Sequence, residues 1–408
     1  MPLNTLAFER KIIVLLAAVN FINILDFMIV MPMGPDFAAA LGIPLSRLGL
    51  VGGAYTAAAA VSGLAASTFL DRFDRRRALS VALWGLVGGT LLGALAQGFT
   101  TLVLARVVAG AFGGPATALS LSILADVVPP ERRGKAMGSV MGAFAAASVL
   151  GVPAGLELAQ RWGWRAPFFA VAALGVVVIL LALALMPPMR AHLDKPVDAP
   201  PRRPLVLFLR DSRVRLSLAA TGAAFLGMFA LVPNLAAYLQ FNLGYPREGL
   251  GGLYLAGGLV SFVAMRVGGI WVDRHGPNVV TITGSACMMA VLAFGFWPLH
   301  PLMPVVAMFV LLMTASSLRS VALNTVSSRV PPIQERGRFM STQSATQHIA
   351  AASGAALSSL VLVERPDHSL AGMQTVVAMA FVMTALLPLL VWQIDRRVRT
   401  AASTVSAR

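Results

Sequence analysis

A few charged side chains interrupt the long apolar stretches of the chain, and two of them have opposite charge and similar depth. Asp26 lies in one such stretch and Arg106 in another. An ionisable group at bilayer depth costs at least about 2.5–3.5 kcal/mol, so each needs a partner, a cavity or a chemical task. Burial disfavours a charged carboxylate and an adjacent guanidinium favours it, so a carboxylate beside a movable arginine can take up and release a proton. Asp26 and Arg106 are therefore the first candidates for proton chemistry.

Asp26 and Arg106 are predicted to meet at one depth. Counted at about 1.5 Å per helical residue from the nearest break in the apolar pattern, Asp26 is roughly 22 Å from one edge of the membrane. Arg106 follows the opposite edge by a few residues, which gives a similar depth in a core of about 30 Å. A static ion pair that fixes two helices together is the structural alternative. We favour the proton site because buried ion pairs stabilise proteins poorly.

Further polar side chains without a permanent charge lie inside the apolar stretches. We expect some to line a central cavity and others to tie helices together by hydrogen bonds. One member of the group, His348, can shuttle protons, although a neutral hydrogen-bonded histidine in helix packing is more common. The group comprises Asn20, Asn23, Tyr55, Asn234, Tyr238, Gln343, Gln347 and His348.

The composition excludes a soluble globular protein. Hydrophobic residues make up 57% of the chain and charged residues 12%, with a mean hydropathy of +0.78, whereas about a quarter of a soluble domain is charged. The net charge of +15 lies in short breaks between apolar stretches, so nucleic acid is not an expected partner. One cysteine, Cys287, and five scattered histidines predict neither a disulfide nor a metal site. We expect no cofactor and no enzymatic activity.

Apolar stretches of about 20 residues predict an all-α membrane protein with 12 transmembrane helices. The predicted spans are 12–33, 47–70, 78–97, 101–125, 136–158, 166–187, 214–240, 249–272, 278–298, 302–327, 339–362 and 370–394. They divide into an N-terminal six-helix bundle at 1–187 and a C-terminal one at 214–394. A proline-rich linker occupies 188–213, and a tail follows at 395–408.

The second half of the chain repeats the first. Asp71-Arg72 returns as Asp273-Arg274 after 202 positions, and Arg133 returns as Arg336 after 203. Two unrelated landmarks that share nearly one offset indicate an internal duplication. The two six-helix bundles are therefore predicted to be related by pseudo-symmetry.

The distribution of basic residues predicts the orientation. One set of breaks holds 24 of the 32 lysines and arginines and the opposite set holds five. By the positive-inside rule, both termini and the linker are expected in the cytoplasm. Trp162 and Trp164 are typical of an aromatic belt at the outer surface.

The loop after the second predicted helix resembles the signature of the major facilitator superfamily, and the 12 helices and six-plus-six repeat extend the resemblance along nearly the whole chain. In that family the loop carries Gly-x-x-x-Asp-Arg-x-Gly-Arg-Arg. Ser67 and Asp74 replace the two glycines here. The resemblance implies that aspartates and arginines of both copies latch the cytoplasmic face. The implied gate residues are Asp71, Arg72 and Arg75 and, in the second copy, Gly269, Asp273, Arg274 and Gly276.

Two further motifs narrow the resemblance. Arg106 is similar to the arginine of the helix 4 signature, which takes part in proton transfer. Gly151, Pro153 and Gly155 partly match the helix 5 signature of the antiporter branch, with departures at neighbouring positions. The pattern is similar to bacterial 12-helix drug or sugar exporters of the arabinose-efflux type.

These features together predict a proton-coupled secondary transporter of the bacterial inner membrane. It is expected to act as a monomer and to export a small drug, sugar or metabolite, with Asp26 carrying the proton and Arg106 competing for the carboxylate. An uptake symporter or facilitator on the same fold remains an alternative. A membrane sensor is less favoured, because the longest polar segment is the short central linker.

Overall fold

The computed structural model describes residues 5–190, 205–297, 302–331 and 335–406. A continuous apolar segment in a membrane is expected to form a helix, because a helix satisfies the hydrogen bonds of its own backbone. The first half forms α1 (Thr5–Ile29), α2 (Leu48–Phe69), α3 (Arg75–Ala94), α4 (Phe99–Val127), α5 and α6 (Ala166–Leu185). Helix α5 runs through Pro130–Ala146, a π-turn at Ala147–Gly151 and Val152–Trp162.

The second half repeats this series of helices. It forms α7 (Ser212–Ala237), α8 (Leu250–His275), α9 (Pro277–Val291), α10 (Val305–Ser328), α11 (Arg336–Val361) and α12 (Met373–Ser406). The π-turns Tyr238–Asn242 and Leu292–Phe296 continue α7 and α9. A short antiparallel hairpin, β1 (Val363–Glu364) and β2 (Leu370–Ala371), joins α11 to α12. Two short helices, Gly34–Leu41 and Leu205–Arg210, lie outside the series.

Eleven helices of the described chain are long and apolar enough to cross a membrane. Helix α11 is as long as the others, but Thr342, Gln343, Thr346 and Gln347 make it more polar. The predicted all-α membrane fold is confirmed. Residues 191–204 of the predicted linker lie outside the described residues.

The chain divides into two compact units, Met1–Val197 and Asp198–Arg408. In the first, α2 packs on α4, α3 packs on α4 and α6, and α1 packs on α5. In the second, α8 packs on α10, α9 packs on α10 and α12, and α7 packs on α11. A 3-10 turn precedes α2 at Leu45–Arg47 and α8 at Arg247–Gly249. The common packing pattern is what the internal duplication predicts.

The predicted helix bounds differ most from the structure at α1, α5 and α12. Helix α1 ends at Ile29, four residues early, and a turn leads into the short helix Gly34–Leu41, which has a proline in its first turn. Helix α12 continues to Ser406, through most of the predicted tail. Apolar counting locates the membrane edge and not the helix end, and beyond that edge the Asp395–Arg399 pair at 2.8 Å spans one helical turn of α12.

Of the two tryptophans predicted to form an aromatic belt, one is exposed and one is buried. Trp162 is 70% exposed at the end of α5, as an interfacial tryptophan should be. Trp164 is instead buried, with edge-on contacts to Phe37 and Phe168. Gly163 separates the two tryptophans with a φ of 86°, a value that reverses the chain direction and favours glycine. Trp164 therefore turns inward, which adjacency in sequence could not indicate.

Candidate functional site

A buried ion pair lies at the centre of the first unit. Nη1 of Arg106 donates to both carboxylate oxygens of Asp26, at 3.0 and 3.2 Å, and Nη2 donates to the Asp26 backbone carbonyl at 3.3 Å. Each side chain is 1% exposed. The contact expected from matched depths is present between α1 and α4. A charge pair this fully desolvated gains little net stability from its attraction.

Thr90 of α3 completes the surroundings of the carboxylate. Its hydroxyl lies 2.7 Å from Asp26 Oδ1 and donates a hydrogen bond to it, and the side chain is 1% exposed. A donor to a carboxylate favours the charged form. Sequence reasoning missed Thr90, because a lone threonine in a helix most often bonds its own backbone, as Thr90 also does with Leu86.

Tyr55 and Asn23 form the next layer of the site. The guanidinium carbon of Arg106 lies 4.7 Å from the centre of the Tyr55 ring, within cation–π distance. The Tyr55 hydroxyl donates to Asn23 Oδ1 at 2.5 Å. Asn23 Nδ2 in turn donates to the Gly113 carbonyl at 2.9 Å and to Thr117 Oγ1 at 2.7 Å. A continuous polar chain therefore links α1, α2 and α4 beside the ion pair.

Glycine at position 113 is required by this arrangement. A Cβ there would overlap the Tyr55 hydroxyl and come 2.7 Å from Asn23 Oδ1. Gly110, one turn after Arg106, meets the backbone of Tyr55 in the same way. The small residues of α4 thus bring α2 close enough for the Tyr55 ring to face Arg106.

The helix 5 motif borders the same site from the other side. A Cβ on Gly151 would come 2.6 Å from Leu25 Cδ1, and one on Gly155 would overlap Ile29. Leu25 and Ile29 flank Asp26 on α1. Pro153 has no N–H for a helical bond, and the π-turn Ala147–Gly151 lies immediately before it. The motif sets how closely α5 approaches the segment that holds the carboxylate.

The predicted gate loop after α2 is only partly described. The side chain of Asp71 lies outside the described residues, and Arg72 is exposed. Arg75 is buried, and its Nε lies 3.3 Å from Asp126 Oδ2 at the end of α4. The bridge between neighbouring helix ends that the resemblance implies is therefore made here by Arg75.

Asp74 has a role that the resemblance did not suggest. It caps α3 by accepting the Arg77 N–H at 3.1 Å. Its other oxygen accepts the Met189 N–H at 3.1 Å and lies 3.4 Å from Arg190 Nε. Because its φ is −55°, the position does not need glycine. Asp74 thus fastens the chain that follows α6 to the start of α3.

The second copy of the loop keeps a backbone that requires glycine. Gly276, between α8 and α9, has a φ of 82°, in the left-handed region that other residues avoid. Asp273 and Arg274, in the last turn of α8, are exposed. A Cβ on Gly269 would meet nothing within 4 Å, so close packing does not explain that glycine.

The remaining predicted cavity residues divide into separate groups. Asn20 bonds the Leu16 carbonyl of its own helix. In the second unit, Asn234 donates to Ser358 Oγ at 3.0 Å, Tyr238 stacks on Phe296, and Gln343 donates to Thr221 Oγ1 at 3.3 Å. Gln347 and His348 are half-buried on α11. Within the first unit, the structure brings Asn23 and Tyr55 to the ion pair, whereas Asn20 bonds its own helix.

Long apolar helices in two repeated units, with a charged pair and a polar chain buried in one of them, define a multi-pass membrane transporter. The family model described as the Major Facilitator Superfamily matches residues 16–355, and matches again at 218–406. The chain belongs to this superfamily, whose members are transporters and not enzymes.

The relatives whose names state a function have low sequence identity to this chain. A chloramphenicol resistance protein of Streptomyces lividans is 26% identical over 273 residues, which cover 65% of this chain and 66% of that protein. A chloramphenicol efflux pump of Mycobacterium tuberculosis (strain CDC 1551 / Oshkosh) is 28% identical over 275 residues, 65% of each chain. The chain thus spans just under two thirds of the length of these two relatives.

A solved structure supports the fold over the whole chain. The inward-facing, unoccupied form of a bacterial homologue of the human lysosomal transporter Spinster has a TM-score of 0.75, with 17% identity. The match covers 96% of this chain and 98% of that one. At this identity the likeness establishes the fold alone.

Proposed function

We propose that the protein is a proton-coupled exporter of a small organic compound, with Asp26 as the proton carrier. The observation that carries the proposal is the ion pair between Asp26 and Arg106, each 1% exposed, with Thr90 as a third partner. Such a pair contributes little to stability and ionisable groups at this depth are costly. A functional task accounts for its presence better than packing does.

Protonation of Asp26 would release Arg106. In the unprotonated state the carboxylate accepts two bonds from Nη1 of Arg106. A proton on one carboxylate oxygen removes the negative charge that holds the guanidinium. Arg106 then retains the Asp26 carbonyl and the Tyr55 ring as partners, and the Tyr55–Asn23 chain links this change to α2. Alternating access by rearrangement of the two halves is the general mechanism of transporters built from repeats.

The names of the relatives support export and suggest the first compound to test. Both relatives are named for chloramphenicol, one as an efflux pump. A single carboxylate deep within a membrane helix suits exchange of a proton for a neutral or cationic compound, because one negative charge can be balanced by either. We infer a drug-like or metabolite substrate of this class.

We infer further that the protein works as a monomer in the bacterial inner membrane with both termini in the cytoplasm. The orientation is supported by the distribution of lysines and arginines. One set of breaks between the apolar stretches holds 24 of them and the opposite set holds five. The gate residues Asp71, Arg72, Arg75, Gly269, Asp273, Arg274 and Gly276 would then lie at the cytoplasmic surface.

The test is drug accumulation in inside-out vesicles from a strain stripped of its own exporters. We expect chloramphenicol, or a compound found by a resistance screen in the same strain, to accumulate only when a proton gradient is present. Asp26→Asn should reduce accumulation to the level of empty-vector vesicles. Glu157→Gln is the matched control, because Glu157 is 51% exposed in a surface pair with Arg161.

Two results would contradict the proposal. Full gradient-driven accumulation by the Asp26→Asn variant would remove Asp26 from coupling. Accumulation in right-side-out vesicles driven by an inward proton gradient would identify an uptake symporter instead.

A further inference from the structure

A groove of about 660 Å³ lies at the end of the second unit, where α7 begins and α12 passes beyond its apolar part. Its lining comes from Ser212 and Arg213 of α7 and from Trp392, Arg396, Arg397 and Thr400 of α12. The groove is remote in sequence from Asp26 and Arg106, and nothing in the transport proposal uses it. Three arginines around one opening make it a candidate for anion binding.

Among the residues that the structure describes, no carboxylate neutralises two of the three guanidinium groups. Arg213 forms a 2.9 Å ion pair with Asp211. Burial acts to raise the pKa of Asp211, but the bonds from Arg213 hold it below its ordinary value, so this pair is charge-balanced. Arg396 lies over the Trp392 ring at 5.6 Å, and Arg397 is exposed. Neither of these two forms an ion pair with a carboxylate of the described chain.

The nearest carboxylate on α12 is already engaged. Asp395 is buried and lies 2.8 Å from Arg399 Nη2. The same Asp395 oxygen accepts a hydrogen bond from Asn278 Nδ2 at 3.0 Å. Asp395 therefore interacts with Arg399 and α9 and leaves the charge of Arg396 and Arg397 uncompensated. The groove presents a net positive charge of about two.

An apolar stripe on α12 leads directly to this charge. Val382, Leu386, Leu389 and Trp392 are 52%, 41%, 59% and 50% exposed. They are spaced by four, three and three residues, and Arg396 follows after four more. Such spacing keeps all five on one helix face. Exposed aliphatic side chains on a transmembrane helix contact acyl chains, and a half-exposed tryptophan is typical of the headgroup level.

We propose that this groove binds the phosphate group of an anionic membrane phospholipid. Guanidinium groups form paired hydrogen bonds with phosphate oxygens, and Arg396 and Arg397 are free to supply them. The stripe below gives the two acyl chains a continuous apolar surface, which a soluble phosphate does not need. Basic sites between transmembrane helices at the membrane surface are a known chemical setting for acidic lipid headgroups.

The test is a lipid titration of the purified full-length protein by native mass spectrometry. Phosphatidylglycerol, phosphatidylcholine with the same acyl chains, and inorganic phosphate are added separately. We expect phosphatidylglycerol to bind at the lowest concentration. Arg396→Gln/Arg397→Gln should weaken it roughly 30-fold, because two arginines near the surface contribute about 1 kcal/mol each and 1.4 kcal/mol is tenfold. Arg396→Lys/Arg397→Lys should weaken binding less than the glutamine variant, because lysine keeps the charge but loses the paired hydrogen bonds.

The matched control is Arg161→Gln/Arg365→Gln, which removes the same charge from exposed positions at the opposite end of the helices. It should bind phosphatidylglycerol like the unmodified protein. Equal binding of both lipids, or equal losses in the two double variants, would overturn the proposal. Tight binding of inorganic phosphate alone would assign the groove to a soluble anion and overturn the lipid assignment. Lipid binding is read out without transport, so the outcome is independent of the proposed exporter activity.

Discussion

Asp26 is held by side chains from two helices, Arg106 of α4 and Thr90 of α3, and only Arg106 was predictable. Arg106 could be found because an arginine and an aspartate at equal depth have few other partners. Thr90 could not, since a hydroxyl in an apolar helix carries no long-range signal. Asn23 and Tyr55 were expected to line a cavity, and instead they bond each other next to Arg106. At this scale sequence reveals which groups are costly to bury, but not which uncharged groups surround them.

Thr90 provides the most specific test of the site. In Thr90→Val the carboxylate loses a donor while the side-chain volume is kept. Hydrogen bonds to charged groups are worth about 1.5–3 kcal/mol, so the carboxylate is held less firmly against Arg106. Gradient-driven accumulation in vesicles should therefore fall by about tenfold.

Thr90→Ser retains the hydroxyl and should keep the accumulation of the unmodified protein. Equal accumulation by the valine and serine variants would show that the 2.7 Å contact does not act on the proposed proton site.

At the scale of elements, helix ends and helix approaches depart most from prediction. The apolar stretches located every long helix to within several residues. They could not locate the π-turns, the short helix Gly34–Leu41 or the extension of α12 to Ser406, since these depend on local hydrogen bonding and not on hydropathy. In the signature loop, Asp74 stands where the family pattern has a glycine. In the structure Asp74 caps α3 and accepts the Met189 N–H.

The approach of α5 to α1 can be tested at one glycine. In Gly155→Ala the new Cβ overlaps Ile29 Cδ1, so the Ile29 side chain must leave its rotamer or α1 must shift. Overpacking of this kind costs about 1–3 kcal/mol. We expect a lower thermal unfolding temperature in detergent together with reduced transport.

Gly138→Ala on the same helix is the matched control, because a Cβ there meets nothing within 4 Å. Alanine is the better helix former by about 1 kcal/mol, so this variant should be at least as stable as the unmodified protein. Equal effects of the two substitutions would contradict the close approach of α5 and α1.

The clamp formed by Asp74 should restrain the chain after α6. Asp74→Ala removes the cap of α3, worth about 0.5–2 kcal/mol, and the acceptor for the Met189 N–H. Hydrogen exchange at Met189 and Arg190 should become faster. Asp74→Asn can still cap α3 but loses the charge that faces Arg190, so its exchange should be intermediate. Unchanged exchange in Asp74→Ala would rule out the clamp.

For the molecule as a whole, the duplication explains the packing and not the chemistry. Both units pair their helices in one pattern. At the repeat offset of 202 positions, Asp26 corresponds to Met228. The second unit thus has a methionine where the first holds its buried carboxylate. Sequence repeats predict the shared scaffold, because packing needs only small and apolar residues at common positions. The repeat does not predict which position carries an ionisable residue.

The orientation of the molecule can be tested through its one cysteine. In a Cys287→Ser background, Arg161→Cys and Arg365→Cys should react with a membrane-impermeant thiol reagent in intact cells. Arg77→Cys and Arg399→Cys should react only after the membrane is opened. The opposite pattern would place both termini outside.

The Asp26–Arg106 contact also constrains how the protein is made. The two residues are 80 positions apart, so at about 5–20 residues per second Asp26 is synthesised roughly 4–16 s before its partner exists. Helix α1, whose most apolar window has a mean hydropathy of 2.4, is apolar enough to enter the bilayer before that partner is made. The helix that carries the carboxylate is thus inserted first, and α4 completes the ion pair when it arrives.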